Sequence, residues 1–334
     1  MKASKTKTDV KRTLEETLKR VGKMKPPVEE PAKAPGSTLG ISIKDTMARS
    51  LQLVEALHGN KRPLAGIPTG FVDLDTLTNG LQPSDLIIIA GRPSVGKTSL
   101  ALNIAQYVSM LPENSVTVGI FSLEMSGDQL MMRVLSSEAE IDLFKMRTGR
   151  LSREDWPGLI RASGRINDAS ANLIIDDTPP SMLPISELCY RAKLWKKRRN
   201  VGLIVIDYLQ LMCGDGDERD TREQELSEIT RLLKSLAKEL NIPVIALSQV
   251  NRALETRENK RPRLYDLRDA GAIEEDADVI MFIYRDEVYN KDKDDNKGVA
   301  EIILAKHRNG PVGVAELTFI DKYVSFRNTY RLDE

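Results

Sequence analysis

Apolar residues collect along this chain in short unbroken runs, separated by longer stretches with a helical beat. The runs are DLIIIAG, VTVGIFSLE, ANLIIDD, VGLIVIDYLQLM, IPVIALSQV, ADVIMFIYRD, VAEIILAKH, GVAELTFID and KYVSFRN. A strand buried on both faces reads this way, because neither face alternates to polar. In the early gaps, the pattern predicts helices over residues 97–110, 126–137, 184–200 and 222–240. Alternating strands and helices imply right-handed βαβ crossovers and a mostly parallel sheet. The last three runs lie too close together for helical crossovers, so they are predicted to pair antiparallel. The expected class is α/β.

The first 60 residues follow other rules. Residues 1–40 are basic, poor in large apolar residues and then Pro-rich, which predicts a solvated flexible tail. A basic arm on DNA is the sharper alternative. Within residues 41–60, Ile43, Met47, Leu51, Val54 and Leu57 recur at spacings of three and four, and Gly59 closes the pattern. That is one amphipathic helix, which must bury its stripe on its own domain or on a neighbouring copy. Residues 61–334 form the expected main domain.

Composition narrows the classes. The 334 residues are 41% apolar and 29% charged, enough for a large core, with a formal net charge of zero. No global field recruits a polyanion, so any such partner must meet local patches. The two cysteines, Cys189 and Cys213, form no CxxC, which argues against a disulfide scaffold or structural zinc. No apolar run approaches the roughly 18 residues that span a bilayer. A cytoplasmic protein without a membrane role is expected.

GRPSVGKT matches GxxxxGK[ST] directly after one apolar run and before a predicted helix. Gly91, Arg92, Pro93, Ser94, Val95, Gly96, Lys97, Thr98 and Ser99 are therefore the candidate nucleotide loop. Glycines let backbone N–H groups curl around phosphate, and the helix N-terminus adds partial positive charge. Lys97 reaches the β- and γ-phosphates, and the Thr98 hydroxyl holds Mg²⁺. The expected cofactors are ATP and Mg²⁺.

Hydrolysis also needs a metal anchor, a base for water and a group that feels the γ-phosphate. Asp207 ends the run LIVID, placed to hold Mg²⁺ beside the loop, with a strand-end turn cap as its minority alternative. Glu124 ends another run, and ligands sit at the carboxyl ends of parallel strands. It is the candidate base, with a helix-start carboxylate as its plain alternative. Gln249 ends IPVIALSQ and is the candidate sensor, or an ordinary polar strand end. Lys306 and Arg308 share a face if strand geometry persists, and His307 points the other way. Alone they read as two surface cations. The segment Asn251–Asp278 carries Arg252, Arg257, Lys260, Arg261, Arg263 and Arg268 and reads as a basic loop, with Gly271 allowing close backbone approach to a phosphate track. The run Arg191–Asn200 is a basic helix face.

Taken together, GRPSVGKTSLALNIA, FSLEMS, IDYLQLM, LSQVNR, DLRDAGAIEEDADV and AKHRNGP resemble, in order, the motifs of the bacterial replicative DNA helicase family, the DnaB family. The resemblance covers about residues 41–330. It implies a RecA-like ATPase core assembled as a homo-oligomeric, usually hexameric, ring that moves 5′→3′ on single-stranded DNA. It implies Lys97 and Thr98 as phosphate-loop lysine and metal ligand, Glu124 as catalytic glutamate, Asp207 as magnesium-site aspartate and Gln249 as sensor. Lys306 and Arg308 match the lysine and arginine finger that enter a neighbour's site. Arg268, Asp269 and Gly271 match the pore loop that grips DNA. The family carries a helical N-terminal domain where this chain has a basic stub, so the resemblance leaves primase contact open, and a helicase loader is a further implied partner. A phage, plasmid or other accessory version, or a shortened chain, fits that difference. Asp269, Ala270 and His307 depart mildly from the family pattern.

Two rivals share part of this pattern. A RecA-like recombinase would use Lys97, Glu124 and Asp207 but form filaments and exchange strands. A nucleotide-gated ring would regulate or load a helicase without unwinding. The segments DLRDAG and AKHRNGP favour the helicase.

Overall fold

The computed structural model describes residues 43–59, 64–111, 115–169, 172–215, 221–267, 270–290 and 296–329. The chain divides into two units, Met1–Pro63 and Leu64–Glu334. In the first, the amphipathic stripe is helical over Ile43–Gly59 (α1), with Ile43, Met47 and Val54 exposed. The expected tail, residues 1–40, lies outside the described residues, as does the side chain of Leu57.

In the second unit, the strands are β1 (Leu86–Gly91), β2 (Val118–Ser122), β3 (Leu173–Asp176), β4 (Leu203–Asp207), β5 (Val244–Gln249), β6 (Val279–Tyr284), β7 (Val299–His307), β8 (Gly313–Ile320) and β9 (Ser325–Asn328). Among the described residues they make one sheet, in the order β3-β2-β4-β5-β1-β6-β7-β8-β9. Pairing from β3 to β6 is parallel. From β6 to β9 it is antiparallel, as the short spacings require.

The helices of this unit are α2 (Val72–Thr78), α3 (Lys97–Ser109), α4 (Gly127–Ala139), α5 (Leu143–Thr148), α6 (Asp155–Ala169), α7 (Ile185–Arg199), α8 (Arg222–Leu240), α9 (Ala270–Asp276) and α10 (Asp286–Tyr289). Local chemistry sets their ends. Ser126 with Gln129, and Thr221 with Gln224, form reciprocal caps at the starts of α4 and α8. Asn200 and Asn241 close α7 and α8 in the left-handed conformation.

The central strands β1, β2, β4, β5 and β6 are dry on both sides, while β3, β7 and β8 are partly exposed. Along β1, Ile87 and Ile89 enter one core with Leu100, Ile104 and Val108 of α3. Leu86, Ile88 and Ala90 enter the other, with Leu188 of α7 and Leu226, Ile229 and Leu233 of α8. Burial on both faces is why these strands read as unbroken apolar runs. The parallel register also brings strand tips together: Gly91 pairs with Gln249, and Ser122 with Asp207.

The segment Asn251–Asp278 differs from the basic loop expected of it. Arg252–Thr256 and Leu264–Asp266 are 3₁₀ turns, and Ala270–Asp276 is helix α9, so Gly271 sits in a helix rather than a loop. Ile273 within the helix and Ala277 just after it are fully buried and pin the segment to the second core. Several of its arginines are internal ties. Arg257 pairs with buried Asp266 at 2.6 Å, and Arg261 grips both oxygens of Glu301 at 2.7 and 2.5 Å. In the same way Arg191, the first cation of the basic helix face, bonds Asp176 and Glu187.

Candidate active site

The candidate loop runs from the tip of β1 into the first turn of α3. Val95 is buried beneath it, while Pro93 and Ser94 face solvent. Gly96 has φ +108, and a Cβ there would stand 2.9 Å from Phe326 Cζ, so the turn requires glycine on both counts. Lys97 Nζ lies under the loop and donates to the carbonyls of Gly91 at 3.0 Å and Arg92 at 3.1 Å. Burial pulls its pKa down to about 8, against the pull of Asp207 and Glu124 in the other direction. Arg92 is held by Glu255 at 2.7 Å and by the carbonyl of Val250 at 3.2 Å, which ties the loop to the segment beyond β5.

Thr98 Oγ1 donates to Asp207 Oδ2 at 2.7 Å. Asp207 is 3% exposed, and burial raises its pKa above the usual carboxylate range. Two oxygens at this spacing, beside a loop built for phosphate, suit a cation that completes its shell with phosphate and water, as Mg²⁺ does. Among the described residues no cluster of three or more His, Cys, Asp or Glu stands ready to hold a metal. The pair therefore fits a metal that arrives with a polyphosphate.

Glu124 follows β2 and is exposed, and Gln249 is half-buried at the end of β5. Both line one cavity of about 350 Å³ with Ser94, Gly96, Lys97 and Thr98. The backbone N–H of Gln249 donates to Gln210 Oε1 at 3.2 Å, and Gln210 Nε2 donates to Ser248 Oγ at 2.9 Å, so the end of β5 is braced. Ser99 Oγ is buried without a partner among the described residues.

Sequence reasoning missed three other groups in the cavity: Arg133, Arg285 and Asp321. Arg133 comes from α4 and has no hydrogen-bond or ion-pair partner among the described residues. Burial lowers its pKa, while Asp207 and Glu124 act in the opposite sense. A half-buried guanidinium without a carboxylate partner is costly unless an anion arrives. Arg285 is 5% exposed, bonds Glu287 and Asp321, and lies 3.7 Å over the Phe319 ring. An arginine on an amphipathic helix carries no local signal that separates Arg133 from a solvated cation. The single usable hint was its place in the helix just after Glu124.

Lys306 and Arg308 do not line this cavity. A bulge in β7 leaves Ala305 as an extra residue opposite Ile280 and Met281. Beyond it, Lys306 Nζ donates to the carbonyl of Glu274 and Arg308 Nη2 to that of Glu275, both near the end of α9. His307 turns away, with Nδ1 3.2 Å from the carbonyl of Pro311. The two cations thus share a side, as expected, but outside their own phosphate loop. Arg268 and Asp269 lie outside the described residues; Gly271 is exposed, and a Cβ there would meet nothing within 4 Å.

Comparison with known proteins bears on the family and the fold. The family model for the DnaB-like helicase C terminal domain matches residues 66–328. The replicative DNA helicase DnaB of Geobacillus stearothermophilus is 49% identical over 290 residues, covering 87% of this chain and 62% of that protein. The chain thus spans about three-fifths of the length of this relative. Among solved structures, the ATPase domain of G40P superposes with a TM-score of 0.79 at 37% identity, over 86% of this chain and 99% of that one. A DnaB-like replicative helicase, described with its interactions with primase, gives 0.77 at 37% identity, over 87% and 68%. A match over most of the chain, on a sheet whose strand tips carry the phosphate loop, is decisive: the chain belongs to the DnaB-like helicase C-terminal domain family.

Proposed function

We propose that this chain is an ATP-driven DNA helicase motor that works as a homo-oligomeric, hexameric ring moving 5′→3′ on single-stranded DNA. In this reading residues 61–334 are the motor, 41–60 the linker helix and 1–40 a flexible basic tail. The observation that carries the reading is the hydrogen bond from Thr98 to the buried Asp207, with Thr98 lining one cavity beside Lys97, Glu124 and Gln249. Nucleotide binding alone requires a loop; this set adds a metal pair, a base and a sensor.

Lys97 neutralises charge on the β- and γ-phosphates of ATP. Thr98 and Asp207 would hold Mg²⁺, which supplies charge neutralisation on the phosphoryl group. Glu124 orients the attacking water and takes its proton. Arg133 binds the γ-phosphate from the same subunit, which gives its unpaired guanidinium an anion. Gln249 reports whether that phosphate is present. Arg308 and Lys306 act on a neighbouring copy, since they stand apart from their own cavity. Arg268, Asp269 and Gly271 grip the DNA backbone without reading bases. A loader is a further partner. The helicase described with its interactions with primase extends beyond the part this chain matches, and primase contact is a further partnership to test.

The test is ATP turnover of the full chain with and without single-stranded DNA. Turnover stimulated by DNA and abolished by Lys97→Ala is expected; turnover unchanged in Lys97→Ala contradicts the reading.

A further inference from the structure

The segment DADV lies beyond the catalytic set, yet it places a buried acid at the root of the cation pair. Asp278 is 4% exposed. Its backbone joins two strands: its N–H donates to the carbonyl of Leu86 at 2.9 Å, and its carbonyl accepts from the Arg308 N–H at 2.9 Å. Oδ2 accepts from the Leu86 N–H at 2.8 Å and from Lys234 Nζ of α8. Oδ1 is left facing the Arg308 guanidinium, with Nη1 at 3.6 Å. That separation is within ion-pair reach but too long for a hydrogen bond. Arg308 is therefore held through Nη2 by the Glu275 carbonyl and drawn through Nη1 toward Asp278 Oδ1.

A structural role explains only part of this. The Leu86 N–H needs an acceptor, which a neutral amide supplies as well. A full negative charge there acts on the cations around it, first Lys234 and Arg308. Lys234 compensates one oxygen and so prevents an uncompensated buried charge, which would otherwise cost several kcal/mol. The carboxylate also acts on Lys306, whose pKa is lowered by burial and by Arg308 and raised by Asp278.

We propose that Asp278, fixed by Lys234, is the positioning residue of the Lys306–Arg308 pair, holding the arginine at the exit of β7 in the orientation that a neighbouring copy's nucleotide requires. This rests on the trans-acting reading of Arg308 given above.

The experiment uses mixed oligomers of the full chain, with co-assembly confirmed by mass. Asp278→Asn keeps an acceptor for Leu86 and removes the charge. Turnover should fall on the order of 10²-fold, the cost of a misplaced catalytic group. Mixing with Lys97→Ala chains, which have a dead loop but an intact pair, should restore turnover to the level that Arg308→Ala chains reach in the same mixture. A residue serving only its own subunit's fold or loop is not rescued in this way. Where Asp278→Asn does not fold, Lys234→Gln carries the same expectation, because its loss pulls the guanidinium onto the freed carboxylate. Turnover of Asp278→Asn within about twofold of wild type, or a loss that Lys97→Ala chains do not rescue while Arg308→Ala is rescued, overturns the assignment. Failure of Arg308→Ala itself to be rescued instead removes the trans-acting reading, and this assignment with it.

Discussion

Thr98 Oγ1 donates to Asp207 Oδ2 across 2.7 Å, joining the first turn of α3 to the tip of β4 over 109 positions of sequence. Strand order makes the meeting possible, because β1 and β4 both flank β5 and end on one edge of the sheet. Asp207→Asn preserves an acceptor for Thr98 but removes the charge that would hold Mg²⁺. Turnover should drop by about 10²–10³-fold, several kcal/mol of barrier. Unfolding without nucleotide should occur at no lower temperature, since a buried carboxylate is exchanged for an amide. Steady-state kinetics and thermal melts read the two effects separately.

Asp85 gives a pH signature. It is 7% exposed, and burial, with Asp278 next, raises its pKa from 3.8 to about 6, against Lys234, His307 and Arg308. A raised folded pKa contributes stability that is fully present below 3.8 and is lost as pH climbs through about 6. Asp85→Asn should therefore stabilise the fold at pH 7.5, by at most about 3 kcal/mol, and have no such effect near pH 3.5. Denaturant melts at the two pH values check this; an equal effect at both would contradict it.

Gly96 and Gly271 should respond oppositely to alanine. At Gly96 the left-handed backbone and the nearby Phe326 ring both oppose a Cβ, so Gly96→Ala should cost at least roughly 1–2 kcal/mol. At Gly271 the backbone is helical and the space open, so Gly271→Ala should gain up to about 1 kcal/mol. If the Gly271 backbone approaches a phosphate as proposed, the same variant should also bind single-stranded DNA more weakly. Melts and fluorescence anisotropy give the two readings.

Arg268→Ala should weaken single-strand binding and flatten its salt dependence. Loss of one phosphate contact reduces the slope of log K against log salt by about 0.7. A titration from low to moderate salt measures it, and an unchanged slope would take this arginine out of the DNA path.

Much of this molecule is visible in its sequence, for identifiable reasons. The central strands were legible because burial on both faces leaves unbroken apolar runs such as LIIIAG and LIVID. Helices α3, α4, α7 and α8 were legible from period and caps. Helix α6 was not, because Pro157, Gly158 and Gly164 interrupt its pattern, and only Ala162 is fully buried. Helix α9 was hidden by its charge: its acidic residues and Gly271 read as loop, while two buried residues, Ile273 and Ala277, settle the matter. In the site, GRPSVGKT declares itself by spacing. Arg133 does not, since its meaning depends on a cavity formed by residues from distant strands. Arg257 and Arg261 show the converse: their charge suggested phosphate, and their partners Asp266 and Glu301 lie where only the fold brings them.

The central claim is tested most directly by strand displacement on forked duplexes that carry a single-stranded 5′ or 3′ extension. ATP-dependent displacement from the 5′ extension, absent from the 3′ one and abolished by Lys97→Ala, is the expected result. ATP turnover with no displacement from either substrate, or exchange of homologous strands in its place, would contradict it.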